Sequence, residues 1–412
     1  MFLIYRTLIN IIFIISPIII FYRLLKKKED LKRYKEKFCF FSKKRVRGNI
    51  IWLHGASVGE IQSVIPLIEK FERDKKINQI LITSNTISSS KVLEKINLKK
   101  TVHQFFPIDT NYIAKKFINY WKPSKVFFID SEVWPNFLDN LEKKNIPIIL
   151  LNARITKKSF NRWMMISNFA KSIFQKFDIC LSSSKETGEY LKKLGAKNIK
   201  FLGNLKFSQS ENQIMNLNKN LEKLITSRKS WCASSTHFNE EKVCGIVHLK
   251  LKKKYKDILT IIIPRHINRV QSIKKDLNKL NLKVHLDEPK KKINSDIDVY
   301  LVNSYGKTKS FYKVCKNIFL GGSLIPHGGQ NPLEALRYGC KVLHGPNVSN
   351  FKEIYYFLKK RRLSNKVNNL NQLITKLDKS LKENIRSKKI IQNLNKDGSK
   401  ILKKTYNEIC KL

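Results

Sequence analysis

The chain opens on an uncharged stretch. Across residues 7–22 no charged side chain occurs and isoleucine dominates, at Ile9, Ile11, Ile12, Ile14, Ile15, Ile18, Ile19 and Ile20. Extended back past Arg6 to Phe2, the stretch has about 21 residues, roughly 31 Å as a helix against a hydrocarbon core of ~30 Å. It is just long enough to span a bilayer if Arg6 snorkels, and a kink at Pro17 would suit a shallow anchor equally well. Arg23, Lys26, Lys27, Lys28, Lys32, Arg33, Lys35 and Lys37 follow at once. Such a basic flank belongs on the cytoplasmic side of a membrane. No small-x-small cleavage site follows the apolar run, which argues against a cleaved signal peptide. Residues 1–25 are therefore expected to be a membrane anchor that adds nothing to the core of the body.

From Asn49 the pattern changes: short apolar runs alternate with longer amphipathic ones, as parallel strands do when helical crossovers cover the sheet. The runs 50–53, 80–83, 102–106, 126–129, 148–151, 179–181 and 199–202 predict a first series of strands. The stretch 208–229 is polar, rich in Asn, Lys and Glu, and marks a linker. A second series follows at 231–233, 258–263, 282–286, 299–302, 318–320 and 342–343. Beyond Asn365 strand signals give way to a Lys/Asn/Leu-rich helical pattern, expected to pack back across one or both halves. The predicted fold class is α/β, with two doubly wound Rossmann-like domains, 26–207 and 230–364, facing a central cleft, preceded by the anchor helix and followed by C-terminal helices 365–412.

A length of 412 residues suits two domains with full cores, on a prior of ~100–200 residues per domain. The seven cysteines, Cys39, Cys180, Cys232, Cys244, Cys315, Cys340 and Cys410, are scattered without a C-x-x-C pair or a His/Cys cluster at zinc spacing. A reduced, cytosol-facing protein without structural metal follows. With 81 Lys plus Arg against 32 Asp plus Glu, the net charge is +49, which calls for a polyanionic neighbour even if much of the lysine is simply solvated. Each Lys or Arg close to an anionic lipid surface adds roughly 1 kcal/mol of attraction. The basic residues are spread evenly and no RNP, zinc-finger or helix-turn-helix pattern occurs, so the expected partner is anionic inner-membrane lipid and not nucleic acid.

No G-x-G-x-x-G follows the first strand and no G-x-x-x-x-G-K-[ST] occurs, so neither a dinucleotide site nor a P-loop is supported. Polar clusters stand instead at the C-terminal ends of predicted strands, where open α/β sheets bind ligands. The first is W-L-H-G-A-S-V-G-E, ending in Glu60, which is either a cleft carboxylate or a favourable charge at a helix N-terminus. The second, D-S-E-V-W-P-N, carries Asp130 and Glu132; Asp130 or Ser131 could equally cap the next helix. The third, G-N-L-K-F, holds Lys206, by itself no more than a solvated lysine. In the second half, Ser234-Ser235-Thr236-His237, Pro264-Arg265-His266, Gly321-Gly322-Ser323 and H-G-G-Q-N-P-L-E, ending in Glu334, suggest anion binding by glycine-rich turns. Asp296-Ile297-Asp298 imitates a metal-binding D-x-D but sits where a strand begins, and reads as solvated entry residues.

These motifs, together with L-N-A-R and taken in order between about Asn49 and Phe351, resemble those of the Kdo (3-deoxy-D-manno-octulosonic acid) transferase family, also called lipid IVA Kdo transferases. The resemblance implies a GT-B glycosyltransferase of lipopolysaccharide core biosynthesis. Such an enzyme moves Kdo from CMP-Kdo to lipid IVA, a lipid A precursor, at the cytoplasmic face of the inner membrane. It implies Glu60 as general base, Asp130 and Lys206 as transition-state stabilisers and Glu132 as a nearby second carboxylate. Pro264, Arg265, Tyr305, Gly306, Lys307, Asn331, Pro332, Leu333 and Glu334 would form the CMP site, with no metal and no cofactor. Two positions depart from the family pattern: Asp130 stands where Glu is usual, and the usual D-T-x-G-E-L reads N-S-Y-G-K-T, placing Lys307 where Glu is expected. If that Glu contacts the donor through its side chain, Lys307 cannot substitute for it. A relative using another nucleotide sugar is the alternative within enzymes.

Overall fold

The computed structural model describes residues 1–96, 98–209, 216–288, 293–383 and 387–412. The chain divides into two compact units. Unit 1 comprises Met1–Ser210 together with Asp397–Leu412, and unit 2 comprises Glu211–Lys396.

Unit 1 is built on seven parallel strands: β1 (Ile50–His54), β2 (Gln79–Ser84), β3 (Thr101–Phe105), β4 (Lys125–Ile129), β5 (Ile148–Ala153), β6 (Ile179–Ser182) and β7 (Ile199–Phe201). Their order in the sheet is β3-β2-β1-β4-β5-β6-β7. Alternate residues feed two cores. Trp52, Phe128 and Leu150 pack with Phe117, Trp121 and Phe137 on one face. Ile51, Leu53, Phe127 and Ile129 pack with Ile61, Val64, Ile68 and Phe71 on the other. Covering both faces is why these strands read as continuous apolar runs. Ile409 is buried in the second of these cores, and Lys200 pairs with Glu408 at 2.5 Å, so the chain's last residues complete unit 1.

Unit 2 repeats the design with β8 (Ser230–Thr236), β9 (Leu259–Pro264), β10 (Val284–Leu286), β11 (Val299–Leu301), β12 (Asn317–Leu320), β13 (Lys341–His344) and β14 (Ser364–Lys366). The order is β10-β11-β9-β8-β12-β13-β14, again all parallel. Leu373, Leu377 and Leu381 of the helix Leu370–Lys382 close its core. Of the stretch expected as a linker, 210–215 lie outside the described residues, and Lys219–Ser227 form a helix that buries Leu221 and Ile225. Edge strand β14 carries no apolar signal: its residues are Ser364, Asn365 and Lys366, paired among the described residues with β13 alone.

The expectation that the first 25 residues stay out of the core is corrected. The helix Phe2–Leu25 packs Phe2, Tyr5 and Phe13 against the first core of unit 1. Arg6 does not snorkel. It donates to Asp139 at 2.9 Å, to Asn136 at 3.0 Å and to Asn111 at 3.2 Å.

Candidate active site

In unit 1 the polar clusters gather at the C-terminal ends of neighbouring strands β1, β2 and β4. His54 ends β1 and is fully buried, its ring stacked on Phe106 at 3.8 Å. Its Nδ1 lies 3.0 Å from the Thr83 hydroxyl, and its Nε2 lies 3.1 Å from Glu132. Trp134 Nε1 donates to the same Glu132 oxygen at 2.9 Å, and Trp52 Nε1 donates to Thr83 at 2.9 Å. Nδ1 also lies 3.2 Å from the Thr83 carbonyl, so both ring nitrogens of His54 are engaged by the protein. The network fixes the Glu132 carboxylate in place.

The turn after His54 leads into the helix Val58–Arg73, with Ser57 as its N-cap and Glu60 at the third position of the first turn. A Cβ at Gly55 would sit 3.2 Å from Glu60, Ile61 and Ile129, so a glycine lets the turn approach the helix; Gly59 has open space around it. Glu60 accepts the Ala56 N–H at 2.6 Å and the Ser57 hydroxyl at 2.8 Å. Such caps stabilise the ionised carboxylate. Burial outweighs them, and with the negative charges of Glu132 and Asp130 it pushes Glu60 up to about 7. A carboxylate so poised at neutral pH exchanges a proton readily in either direction.

Asp130 follows β4 with φ +62°, a left-handed conformation that Asp tolerates better than most residues. Its backbone is clamped by β5: its N–H donates to Leu151 and its carbonyl accepts from Arg154, both at 3.0 Å. Lys206 Nζ lies 3.9 Å from the Asp130 carboxylate, and the segment that carries it is held by Asn204, which caps the Lys206 N–H, and by Asn152, which accepts the Leu205 N–H. Glu60, Asp130, Glu132 and Lys206 thus come together within one unit, three carboxylates with one ammonium.

In unit 2 the end of β8 makes a left-handed turn at Ser235, φ +57°, and its neighbours are arranged around one carboxylate. Glu240, 1% exposed, accepts the N–H groups of His237, Gly322, Ser323 and Leu324 at 2.6–3.1 Å. A Cβ at Gly321 would lie 2.6 Å from the Ser235 carbonyl and from Thr236, which explains the glycine there. His237 packs against His327 at 3.9 Å between ring centroids and lies 5.8 Å from His266. Burial and the neighbouring His327, His266, Arg265 and Arg269 push His237 down to about 4. Exposed Arg265 follows Pro264, its N–H bonded to Thr236 at 2.9 Å. Gly329 donates to Gly322 at 2.7 Å, joining H-G-G-Q-N-P-L-E to the same loop.

Asn331 accepts the Leu333 N–H at 3.1 Å, and Leu333 is fully buried, at the start of a short helix of five residues, Leu333–Arg337, that also holds Glu334 and is preceded by Pro332. Tyr305, 63% exposed, and Gly306 form the turn after β11. Lys307 in that turn is held by Asp287 at 2.8 and 3.1 Å. Burial opposes it, but Lys307, Tyr300 and Ser304 hold Asp287 below its ordinary value. The Asp296/Asp298 pair is spoken for: Lys283 engages Asp296, while His248 and Lys252 engage Asp298.

Sequence reasoning singled out the carboxylates but not the residues that hold them. His54, Trp134, Glu240, His237, His266 and His327 all lie in or beside the quoted motifs, yet only three-dimensional contact separates a positioning residue from a neighbour in sequence. The comparisons with known proteins agree with the motifs. A family model for 3-deoxy-D-manno-octulosonic-acid transferase (kdotransferase) matches residues 32–209, a range that contains Glu60, Asp130, Glu132 and Lys206. The 3-deoxy-D-manno-octulosonic acid transferase of Rickettsia bellii is 33% identical over 83% of this chain and 82% of its own. That of Haemophilus influenzae is 27% identical over 85% and 83%. Among solved structures, the UDP-GlcNAc 2-epimerase of Neisseria meningitidis bound to UDP-GlcNAc matches with a TM-score of 0.59 at 16% identity, covering 87% of this chain and all of that one, a likeness of fold alone. With identity at this level across four-fifths of both chains, the protein belongs to the 3-deoxy-D-manno-octulosonic acid transferase family and is a glycosyltransferase that transfers Kdo.

Proposed function

We propose that the protein moves Kdo from CMP-Kdo to lipid IVA at the cytoplasmic face of the bacterial inner membrane, inverting the anomeric centre and using no metal. The observation that carries the reading is Glu60, a carboxylate pushed up to about 7 beside Glu132 and Asp130. A sugar hydroxyl is a poor nucleophile, and a base within reach that takes its proton during attack contributes ~10²- to 10⁴-fold. The acceptor oxygen forms its bond to the anomeric carbon of Kdo, the bond from that carbon to the CMP phosphate breaks, and the electron pair leaves with CMP. A single displacement of this kind inverts the centre. Asp130 and Lys206 stabilise the charge that develops, and the His54-held Glu132 keeps Glu60 basic.

Residues 26–207 carry the acceptor and 230–364 the donor, with Pro264, Arg265, Tyr305, Gly306 and the stretch 331–334 at the CMP moiety. The backbone of the turn at Lys307, and not its side chain, serves the donor, since the ammonium is committed to Asp287. Metal independence is supported by the engagement of Asp296 and Asp298 with Lys283, His248 and Lys252. Incubating the purified protein with CMP-Kdo and tetraacylated lipid A precursor, followed by mass analysis of the lipid and assay of released CMP, tests the reading. A lipid heavier by one or more Kdo residues, formed equally in EDTA, is the expected result. Transfer only from a different nucleotide sugar would overturn the donor assignment.

A further inference from the structure

The helix Phe2–Leu25 has two unlike sides. Residues 2, 5, 9, 13, 16 and 20, spaced by three and four, fall on one stripe of an α-helix. Along that stripe Phe2 and Tyr5 meet Phe169 at 6.0 and 6.1 Å, Phe13 meets Phe38 at 6.0 Å, and Ser16 and Ile20 are buried. At one end Tyr5 donates to Asp109 at 2.6 Å and Arg6 pairs with Asp139 at 2.9 Å. At the other, Arg23 pairs with Glu29 at 2.6 Å, and Glu29 also takes Lys37 at 2.7 Å. The helix therefore rides on unit 1 from its first turn to its last.

The opposite side is uncovered and, apart from Thr7 and Asn10, apolar. Leu3, Ile14, Ile18 and Leu25 are 67–77% exposed, and Ile4, Leu8, Ile11, Ile12, Ile15, Ile19 and Phe21 are exposed among them. An apolar row about 36 Å long is far outside what a soluble surface carries. A spanning helix would need lipid on every side, and pulling this one off unit 1 would break the Arg6 and Tyr5 bonds and leave Asp109, 1% exposed, without its phenolic donor. Lys26, Lys27 and Lys28 at the helix end supply positive charge suited to anionic headgroups.

We propose that this helix lies in the membrane plane, its outer row entering one leaflet of an anionic bilayer while its inner stripe stays on unit 1, so that it does not cross. This rests on the reading that the enzyme works at a membrane. A consequence concerns the candidate catalytic loop. Asp109, which takes Tyr5, also accepts the N–H groups of Asn136 and Phe137 at 3.1 and 2.9 Å, just after Glu132 and Trp134. The leaflet is thus tied by one buried carboxylate to the segment that carries Glu132, and a lipid acceptor would enter from the leaflet in which the helix lies.

Spin labels placed singly at Leu3, Ile14 and Leu25, in full-length protein with Cys410, the one exposed cysteine among those described, changed to serine, separate the topologies. The protein is bound to vesicles of phosphatidylethanolamine and phosphatidylglycerol, and immersion depth is read from oxygen and nickel-chelate collision rates. An in-plane helix places all three labels at a similar depth of about 5–10 Å. Ile14 deepest, with Leu3 and Leu25 at opposite surfaces, would overturn the in-plane topology and leave the membrane reading standing. No immersion at any site would overturn both.

Discussion

Ser57 and Glu60 cap one another: the Glu60 carboxylate accepts the Ser57 hydroxyl at 2.8 Å, and the Ser57 oxygen accepts the Glu60 N–H at 3.4 Å. The pair satisfies the start of a helix, and a glutamate whose whole task was that cap would tolerate replacement. Glutamine serves in the same box. Glu60→Gln should therefore fold with a loss of at most ~1 kcal/mol, measured by urea denaturation. Turnover should fall roughly 10²-fold or more, about 3 kcal/mol of transition-state stabilisation, with donor affinity nearly unchanged. A Gln variant within a few-fold of wild type would leave Glu60 as a cap alone.

The pH dependence follows from the same residue. As the proposed base, Glu60 must be ionised to work, so kcat/KM should rise with pH through about 7. Stability runs the other way: a carboxyl raised in the folded state binds its proton more tightly there than in the unfolded chain. Its contribution is complete below the ordinary carboxylate range and is lost as pH rises through about 7. Glu132→Gln removes the second-largest cause of the shift and should move the activity limb to lower pH. A limb that stays in place would show that Glu132 does not act on the base.

How much was legible in sequence depended on whether the signal was local. All thirteen apolar runs became strands; the central ones, such as β1, β4 and β5, are buried on both faces and so read as apolar throughout, while the edge strand β7 leaves Phe201 exposed. β14 was invisible, since Ser364, Asn365 and Lys366 owe their extended form to the edge of β13 and not to their own chemistry. The apolar N-terminal run was evident, but its docking was not: the partners of Tyr5 and Arg6 lie more than 100 positions away, at Asp109, Asn136 and Asp139. The same limit applied to the site. Glu60 and Asp130 stand in recognisable turns, while Glu240 acquires its role only by meeting Gly322, Ser323 and Leu324, over 80 residues on.

Glu240 should prove a positioning residue for the loop proposed to hold the donor. Its two oxygens serve four backbone N–H groups, and a buried donor left unmade costs about 1–3 kcal/mol. Glu240→Ala should lower stability by about 3 kcal/mol or more by denaturant titration. Glu240→Gln, with one acceptor oxygen left, should lose less stability yet raise the KM for donor several-fold while kcat changes little. An equal fall in kcat and in kcat/KM would place Glu240 in the chemistry instead.

The departure at Lys307 makes a last prediction possible. Its ammonium forks across both oxygens of Asp287, and Tyr300 and Ser304 donate to the same carboxylate at 2.8 and 3.1 Å. If Lys307 serves the donor site through the turn it anchors, its charge matters only in relation to Asp287. Lys307→Glu would set two carboxylates face to face and should weaken donor binding markedly. Asp287→Lys alone should do the same by opposing the ammonium. The double exchange restores the attraction and should recover much of the affinity, with a coupling of about 1 kcal/mol for a partly exposed pair. Isothermal titration with CMP measures each variant. A lysine that touched the donor directly would predict otherwise: Lys307→Glu would stay defective whatever occupied position 287, and Asp287→Lys would tighten the binding of an anionic nucleotide. Recovery in the double variant therefore decides between a structural ion pair and a direct contact.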